Sequence, residues 1–307
     1  MTKVANAFDS FTAVGNKEDL TELISTISPL EAPAFDRWGS VKATGRKHEW
    51  QTDALAAAAA NLNIEGATFT GTALTATTRY SNDCQVMIKM FSITDTQEVV
   101  DKAGRKSETA YQRKKAMLEL KRDAEFAIFA SAGSSGLSGA VNVAPAMISV
   151  DGWQVNVIGQ TGTIPLSGNG TTATLGEATF NAEIQRAWTN GAKINTVYAN
   201  GNLKRLISSW GVVASTRPRD GGMSTKLVNV VDFYLSDFGE LEVILDRYVA
   251  SSQMFLLDDS LWKKAFLVPT REKAIADTGL ASNTMIWNQW TLEARNPTGN
   301  AMLWSKP

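Results

Sequence analysis

The stretch Thr96–Ala130, TQEVVDKAGRKSETAYQRKKAMLELKRDAEFAIFA, decides how the chain is read. It predicts a short helix running into a long one, with Gly104 marking the break, because glycine is unfavourable inside a helix and common at its end. From Ser107 onward, Ala110, Met117, Leu120, Ala124 and Ala127 form one apolar stripe, widened by Ile128. At ~1.5 Å per residue the long helix spans ~35–40 Å. Its other faces carry both signs of charge. Arg105, Lys106, Arg113, Lys114, Lys115, Lys121 and Arg122 interleave with Asp95, Glu98, Asp101, Glu108, Glu119, Asp123 and Glu125. A basic helix is able to contact nucleic acid, but alternating sign points instead to a solvated face or to ion pairs between subunits.

Upstream, Arg46–Thr52 alternates charged with aromatic or polar side chains, as a strand does. Ala54–Ala60 holds only alanine and one leucine, and predicts a helical turn. Gly66 and Gly71 punctuate a turn region. Thr72–Tyr80 and Gln85–Thr94 then predict strands, the second with Val86, Ile88 and Met90 on one face. The whole reads as a long hairpin, thinly packed on itself. Such a hairpin is marginal alone in water, so it must lean on something else, most simply a neighbouring copy. Ahead of it, Met1–Gly15 is a polar arm. Lys17–Ser28 predicts a helix through Leu20, Leu23, Ile24 and Ile27, with Asn16 as N-cap and Pro29 as stop. Pro29 and Pro33 favour extended backbone.

Downstream, Gly133–Gly176 is rich in Gly, Ser, Thr and Asn around Val141–Val150 and Trp153–Ile158, and reads as an irregular β-rich surface insertion. Glu177–Asn190 predicts a helix stopped by Gly191. Ile194–Tyr198 predicts a strand, Asn202–Ser209 a helix and Arg217–Met223 a polar loop. Leu227–Leu235 and Glu240–Val249 flank Ser236-Asp237-Phe238-Gly239, a hairpin signal. Phe255–Leu257, Lys264–Val268, Thr284–Ala294 and Ala301–Trp304 predict further strands, with a turn at Asn296-Pro297. Strands and helices do not alternate regularly, so the class is α+β.

The 307 residues carry a formal net charge of -1 and 44% hydrophobic side chains. That composition excludes a disordered chain and gives no global attraction to nucleic acid or an acidic membrane. No apolar run approaches the ~20 residues of a membrane-spanning helix. Cys84 is the only cysteine, so there is no internal disulfide, and the reading is an intracellular soluble protein. His48 is the only histidine and has no sequence neighbour suited to a catalytic triad, so it is read as a strand surface residue. One histidine and one cysteine exclude a zinc site of the usual composition, while an all-carboxylate magnesium site stays open. Asp237-Phe238-Gly239 matches a kinase triplet but lacks the Gly-rich loop and catalytic loop that give it meaning. Asp258-Asp259 reads as a pair of surface acids beside a turn. Nine tryptophans are many for this length, and Trp38, Trp50, Trp210 and Trp304 fall near element ends, where interface and core roles weigh equally.

Three segments, in order and at plausible spacing, resemble one family. Thr96–Ala130 resembles the spine helix of tailed-phage major capsid proteins, the shell fold shared with herpesviruses. Lys47–Leu55, KHEWQTDAL, resembles the start of that family's extended loop. Asn195–Trp210, NTVYANGNLKRLISSW, resembles the strand and helix that open its axial domain. The resemblance implies an N-terminal arm at 1–35, an extended loop at 36–91 and a peripheral domain with the spine helix at 92–132. It further implies an axial domain at 133–283 and return strands of the peripheral domain at 284–307. On this map of the resemblance, a scaffolding domain fused ahead of the arm is not expected.

The implied function is a structural protein, not an enzyme, that forms pentamers and hexamers of an icosahedral virion shell around double-stranded DNA. Its partners would be other copies of itself, with separate scaffolding, portal and decoration proteins, and packaged DNA at the shell interior. It would lie in the host cytoplasm before assembly and would need no cofactor or membrane. Trp50, Arg105, Arg113 and Arg122 are the expected assembly-interface residues. An encapsulin-like protein compartment is the alternative reading, and a metal-dependent nuclease a distant one.

Overall fold

The computed structural model describes residues 28–66, 68, 71, 74–129, 144–154, 176–210, 232–277 and 279–304. The expected helix at Lys17–Ser28 and the polar loop at Arg217–Met223 fall outside the described residues, apart from Ser28 itself. Two sheets and a ribbon organise the rest. The first sheet has the order β1-β9-β10-β4, from β1 (Gly39–Lys42), β9 (Trp262–Ile275), β10 (Ala281–Ala294) and β4 (Gln85–Thr94). The second has the order β11-β8-β5-β7-β6, from β11 (Ala301–Trp304), β8 (Gln253–Leu257), β5 (Thr196–Ala199), β7 (Gly239–Leu245) and β6 (Phe233–Ser236). The ribbon pairs β2 (Lys47–Thr52) with β3 (Thr78–Asp83).

The predicted helix pair is present. A short helix, α2 (Asp95–Val99), is capped by Thr94, whose hydroxyl accepts from the Gln97 N–H. The chain breaks at Gly104, which takes φ 75°, a left-handed conformation that glycine adopts without steric cost. The long helix, α3 (Glu108–Phe129), then starts on a double cap. Ser107 Oγ accepts from the Ala110 N–H at 3.2 Å, while the Glu98 carboxylate accepts from Ser107 Oγ at 2.7 Å and from the Glu108 N–H at 3.0 Å. These bonds, the serine hydroxyl foremost, hold the Glu98 carboxyl below its ordinary range.

The buried face of α3 is not the stripe read from the sequence. Leu120, Ala124 and Ile128 are buried as expected, but Ala110 and Met117 are exposed, and Ala116, Glu108 and Glu125 take the inside. A step of four residues precesses slowly around a helix, so the Ala116-Leu120-Ala124-Ile128 line follows one surface that moves from sheet to sheet. Its first half packs on Met87, Phe91 and Ile286 of the first sheet. Its second half, with Phe129, joins Tyr198 and Phe255 of the second sheet and Trp290 of the first in the main core. The other face of the second sheet is covered by α5 (Glu177–Thr189) and α6 (Gly201–Trp210), through Phe180, Ile184, Leu203 and Ile207. Gly191 stops α5 at φ 81°, and Gly239 takes φ 135° in the hairpin that absorbs the Asp-Phe-Gly triplet.

Four expectations are corrected. Pro33 opens a helix, α1 (Pro33–Arg37), instead of extending the chain, since proline at the first helical position sacrifices no bond. Residues 54–60 form no helical turn: they are exposed, and a short isolated helix is unstable in water. Within the predicted surface insertion, the described residues 144–154 are not β, and 147–154 are buried. Met147, Ile148, Val150 and Trp153 belong to the main core around a single helical turn, α4 (Val150–Gly152). Finally, β9 does not stop at Val268. It runs on through Pro269 because the β9–β10 register shifts there, and proline is tolerated at a bulge or on an unpaired edge.

Candidate assembly interface

The extended segment has a fixed root and a bare arm. At the root, Trp50 Nε1 donates to the Ala294 carbonyl at 2.9 Å, and its ring packs against Trp153 at 5.3 Å. Tyr80 meets the same Trp153 edge-on at 5.7 Å. Buried Asn82 donates to the Leu292 carbonyl at 2.9 Å and accepts from the Ile148 N–H at 2.8 Å, which stitches the ribbon to β10 and to the 144–154 segment. His48 Nε2 lies 2.8 Å from Glu293 Oε2, and Arg295 Nε donates to Glu293 Oε1 at 2.8 Å. The carboxyl of Glu293 is shifted below its usual range: burial opposes ionisation, and the His48 and Arg295 hydrogen bonds outweigh it. His48 is therefore a half-buried tether and not a free surface residue. Its partner lies 245 positions away, beyond any reading of local sequence.

Past the root, the chain between β2 and β3 has no regular secondary structure among the described residues. Leu55, Leu62, Ile64 and Leu74 are 99%, 92%, 85% and 98% exposed. A second apolar surface lies on the edge strand β4. Val86, Ile88 and Met90 do share one face, as their alternation predicted, but it is the outer face, away from α3. The register places Gln289, Trp287 and Met285 of β10 beside them. Arg271 of β9 stacks its guanidinium over Trp287 at 4.9 Å. Exposed patches of this kind mark contact surfaces more often than scattered single residues do.

The charged residues of α3 are mostly engaged within the chain. Arg105 pairs with Glu108 and lies 5.1 Å from the centre of the Tyr111 ring. Arg113 makes a two-pronged contact with Glu272 of β9, both distances 2.8 Å. Lys121 reaches Asp36 at 2.8 Å and Lys89 reaches Asp123 at 2.7 Å. Arg122 is half-buried with its Nε shielded. Lys106 and Lys114 are exposed. The four side chains expected at an interface are thus not brought together: Trp50 sits at the arm root, Arg105 at the start of α3, and Arg113 and Arg122 along it.

Asp259 is a residue whose role sequence reasoning missed. Expected to be an idle surface acid, it accepts from Trp38 Nε1 at 2.9 Å, Thr196 Oγ1 at 2.8 Å, Tyr198 Oη at 3.0 Å and Arg37 Nε at 3.2 Å. It ties α1 to the second sheet. Burial, and then the Asp259 charge, push the Tyr198 phenol far above its ordinary pKa, so it stays a donor. Asp258 caps its own turn through Ser260. Among the described residues no group of three or more potential ligands converges on a metal position, and no helix is long and apolar enough to cross a membrane.

The sequence matches the family described as SU10 major capsid protein over residues 3–306. It is 32% identical over 119 residues to the major capsid protein of Escherichia phage Phieco32. That match covers 38% of this chain and 34% of the relative, so the chain spans about a third of the relative's length in the alignment. In structure it is similar to the capsid asymmetric unit of cyanophage A-1(L), with TM-score 0.70 and 12% identity over 97% of this chain and 98% of that one. It is also similar to the capsid of cyanophage P-SCSP1u, with TM-score 0.65 and 11% identity over 99% and 97% of the two chains. At these identities the solved structures report a shared fold.

Proposed function

The chain belongs to the SU10 major capsid protein family, and we propose from this that its copies assemble into pentamers and hexamers of an icosahedral virion shell enclosing double-stranded DNA. One observation carries the reading: the arm between β2 and β3 exposes nearly all of its leucine and isoleucine surface and buries no apolar side chain among the described residues. Burying one such side chain is worth ~1.5–3 kcal/mol. A monomer forgoes that gain, and a neighbour offering an apolar face recovers it.

The outer face of β4 and β10 is a suitable receiving surface. It is apolar at Val86, Ile88, Met90 and Trp287, and Arg271 and Lys273 lie beside it. The arm residues 53–66 carry only Asp53 and Glu65 as charges, so the two surfaces are complementary in sign as well as in polarity.

The domain division follows the family: arm 1–35, extended loop 36–91, spine-helix unit 92–132 and axial unit 133–283, with 284–307 returning to the peripheral domain. The strand order supports moving Trp262–Ile275 into the peripheral unit, because β9 lies between β1 and β10. Of the four interface residues expected, Arg113 and Arg122 remain the candidates for intersubunit charge contacts, while Trp50 anchors the arm and Arg105 braces the start of α3. Scaffolding, portal and decoration proteins are the further partners of this reading, the protein waits in the host cytoplasm before assembly, and no catalysis is assigned to it.

The test is light scattering and negative-stain microscopy of the expressed protein across concentration and salt, with and without a scaffolding protein. Rings and closed shells are expected. A monomer under every condition overturns the reading, and particles that hold protein cargo and no nuclease-protected DNA redirect it to a protein compartment.

A further inference from the structure

Where α1, α3 and the end of β7 meet, two carboxyl groups are buried against each other. Glu125 of α3 and Asp246, the residue after β7, are sealed from solvent. Glu125 spends both oxygens on the first turn of α1: Oε1 accepts from the Ala34 N–H and Oε2 from the Phe35 N–H, each at 2.8 Å. Asp246 Oδ1 accepts from the Tyr248 N–H at 2.7 Å, and its own N–H donates to the Ala199 carbonyl at 3.0 Å. Asp246 Oδ2 is buried and receives no donor from the described residues, yet it belongs to a carboxyl within hydrogen-bonding reach of Glu125. Two buried carboxylates repel. They become partners only when one proton lies between them.

We propose that Glu125 and Asp246 hold one proton in common, that this proton latches α1 and the second sheet to the long helix, and that its loss releases the joint. The inference goes beyond shell formation and does not depend on it. Burial is the main cause that raises Glu125, to about 8, with Asp246 adding to it and the two α1 N–H groups opposing. Asp246 is raised too, chiefly by burial.

The surrounding charges are otherwise occupied. On α1, Asp36 pairs with Lys121 of α3 and Arg37 with Glu242 and Asp259. Ahead of α1, Glu31 pairs with Arg247. On β9, Lys264 donates to the Phe35 carbonyl; burial lowers its own pKa, and the charges of Asp36 and of Glu125 itself oppose that shift. On β5, Tyr198 donates to Asp259, and on α4, Asp151 accepts from Gln253. None of them supplies Oδ2 with a proton.

The sign follows from linkage. A carboxyl whose folded pKa is raised holds its proton more tightly in the folded state. The stability it contributes is complete below the ordinary carboxyl range. It falls as pH rises from there to about 8 and is gone above it.

The experiment is hydrogen exchange on the full-length unassembled protein at the amides of Ala34, Phe35 and Tyr248, corrected for intrinsic rates. One shared proton predicts that protection falls about tenfold per pH unit from pH ~6.5 to ~8 and levels off above that. Asp246→Asn places an N–H where the proton lies and keeps the Tyr248 contact, so its profile should lose that slope. Equal slopes in both proteins, or a flat wild-type profile, overturn the proposal. Should Asp246→Asn fail to fold, difference infrared spectroscopy of the wild type decides: a protonated-carboxyl band present at pH ~6.5 and lost by pH ~9.5 supports the shared proton, and its absence at the lower pH overturns it.

Discussion

At Trp50 the extended segment is held by the Ala294 carbonyl, by Trp153 and by the neighbouring Tyr80, whereas at Leu55 the same chain is 99% exposed. Both stretches contain large apolar side chains. What separates them is whether another part of the chain arrives to cover them. The body obtains its coverage from far away in sequence: β10, the 144–154 segment and the second sheet converge on residues 35–50 and 80–84. Among the described residues the arm obtains none: Leu55, Leu62, Ile64 and Leu74 all stay exposed. The contrast divides labour between the two regions. Folding free energy resides in the body, and the apolar surface left over in the arm is available to a second copy.

The comparison is broken most directly at the centre of the body. Trp262 is fully buried and stacks on Trp38 at 5.5 Å, so Trp262→Ala should cost ~3–5 kcal/mol and leave little folded protein at physiological temperature. Circular dichroism during denaturant titration reads this, and a loss under ~1 kcal/mol would show that the core lies elsewhere.

Gly299→Ala probes a tighter point, where an added Cβ would overlap Ala192 Cβ and come within 2.9 Å of Asn296 Nδ2. Overpacking of this kind costs ~1–3 kcal/mol, and calorimetry should show a clear fall in Tm. An unchanged Tm would mean that the Pro297–Gly299 turn shifts freely.

Arg113→Glu breaks an ion pair whose two side chains are about 40% exposed. Solvent screening limits the cost to ~0–1 kcal/mol. If Arg113 also meets a neighbour, assembly should suffer more than folding, since the same loss recurs in every copy, and Glu272→Arg, which restores only the pair within the chain, should recover stability but not assembly. Equal assembly yield of mutant and wild type across salt would remove Arg113 from the interface.

The smallest effect on the monomer, and the sharpest test of the contrast, comes from the arm. Deleting Asp53–Gly71 removes no buried apolar side chain among the described residues, so the free energy of unfolding should change by less than ~1 kcal/mol while shell formation stops. Leu62→Ser should do the same more mildly. A collapse of the fold on deletion would show that the arm is part of the core.

Legibility in the sequence followed the range of the interactions. The long helix, its break at Gly104, the stop at Gly191 and the hairpin at Ser236–Gly239 were all readable, because backbone sterics and turn chemistry act over a few residues. The alternation of Val86, Ile88 and Met90 was readable as well, but not which face the alternation exposed. That choice was made by α3 packing on Met87 and Phe91. The candidate interface was legible only as the absence of a local core in the arm. Trp50 and His48 could not be placed from sequence, since their partners Ala294 and Glu293 lie far along the chain.

The sequence by itself determined α2, α3, α5 and α6, most of the strands and a segment with little of its own to pack on, since these depend on local propensity and periodicity. Only the tertiary structure decided that β9 continues through Pro269, that Asp259 gathers donors from α1 and β5, and that Glu125 is buried on the inner face of a charged helix. Each of those is a polar or backbone group satisfied by a partner from elsewhere in the chain. Desolvation makes such a partner obligatory, but no local pattern names it.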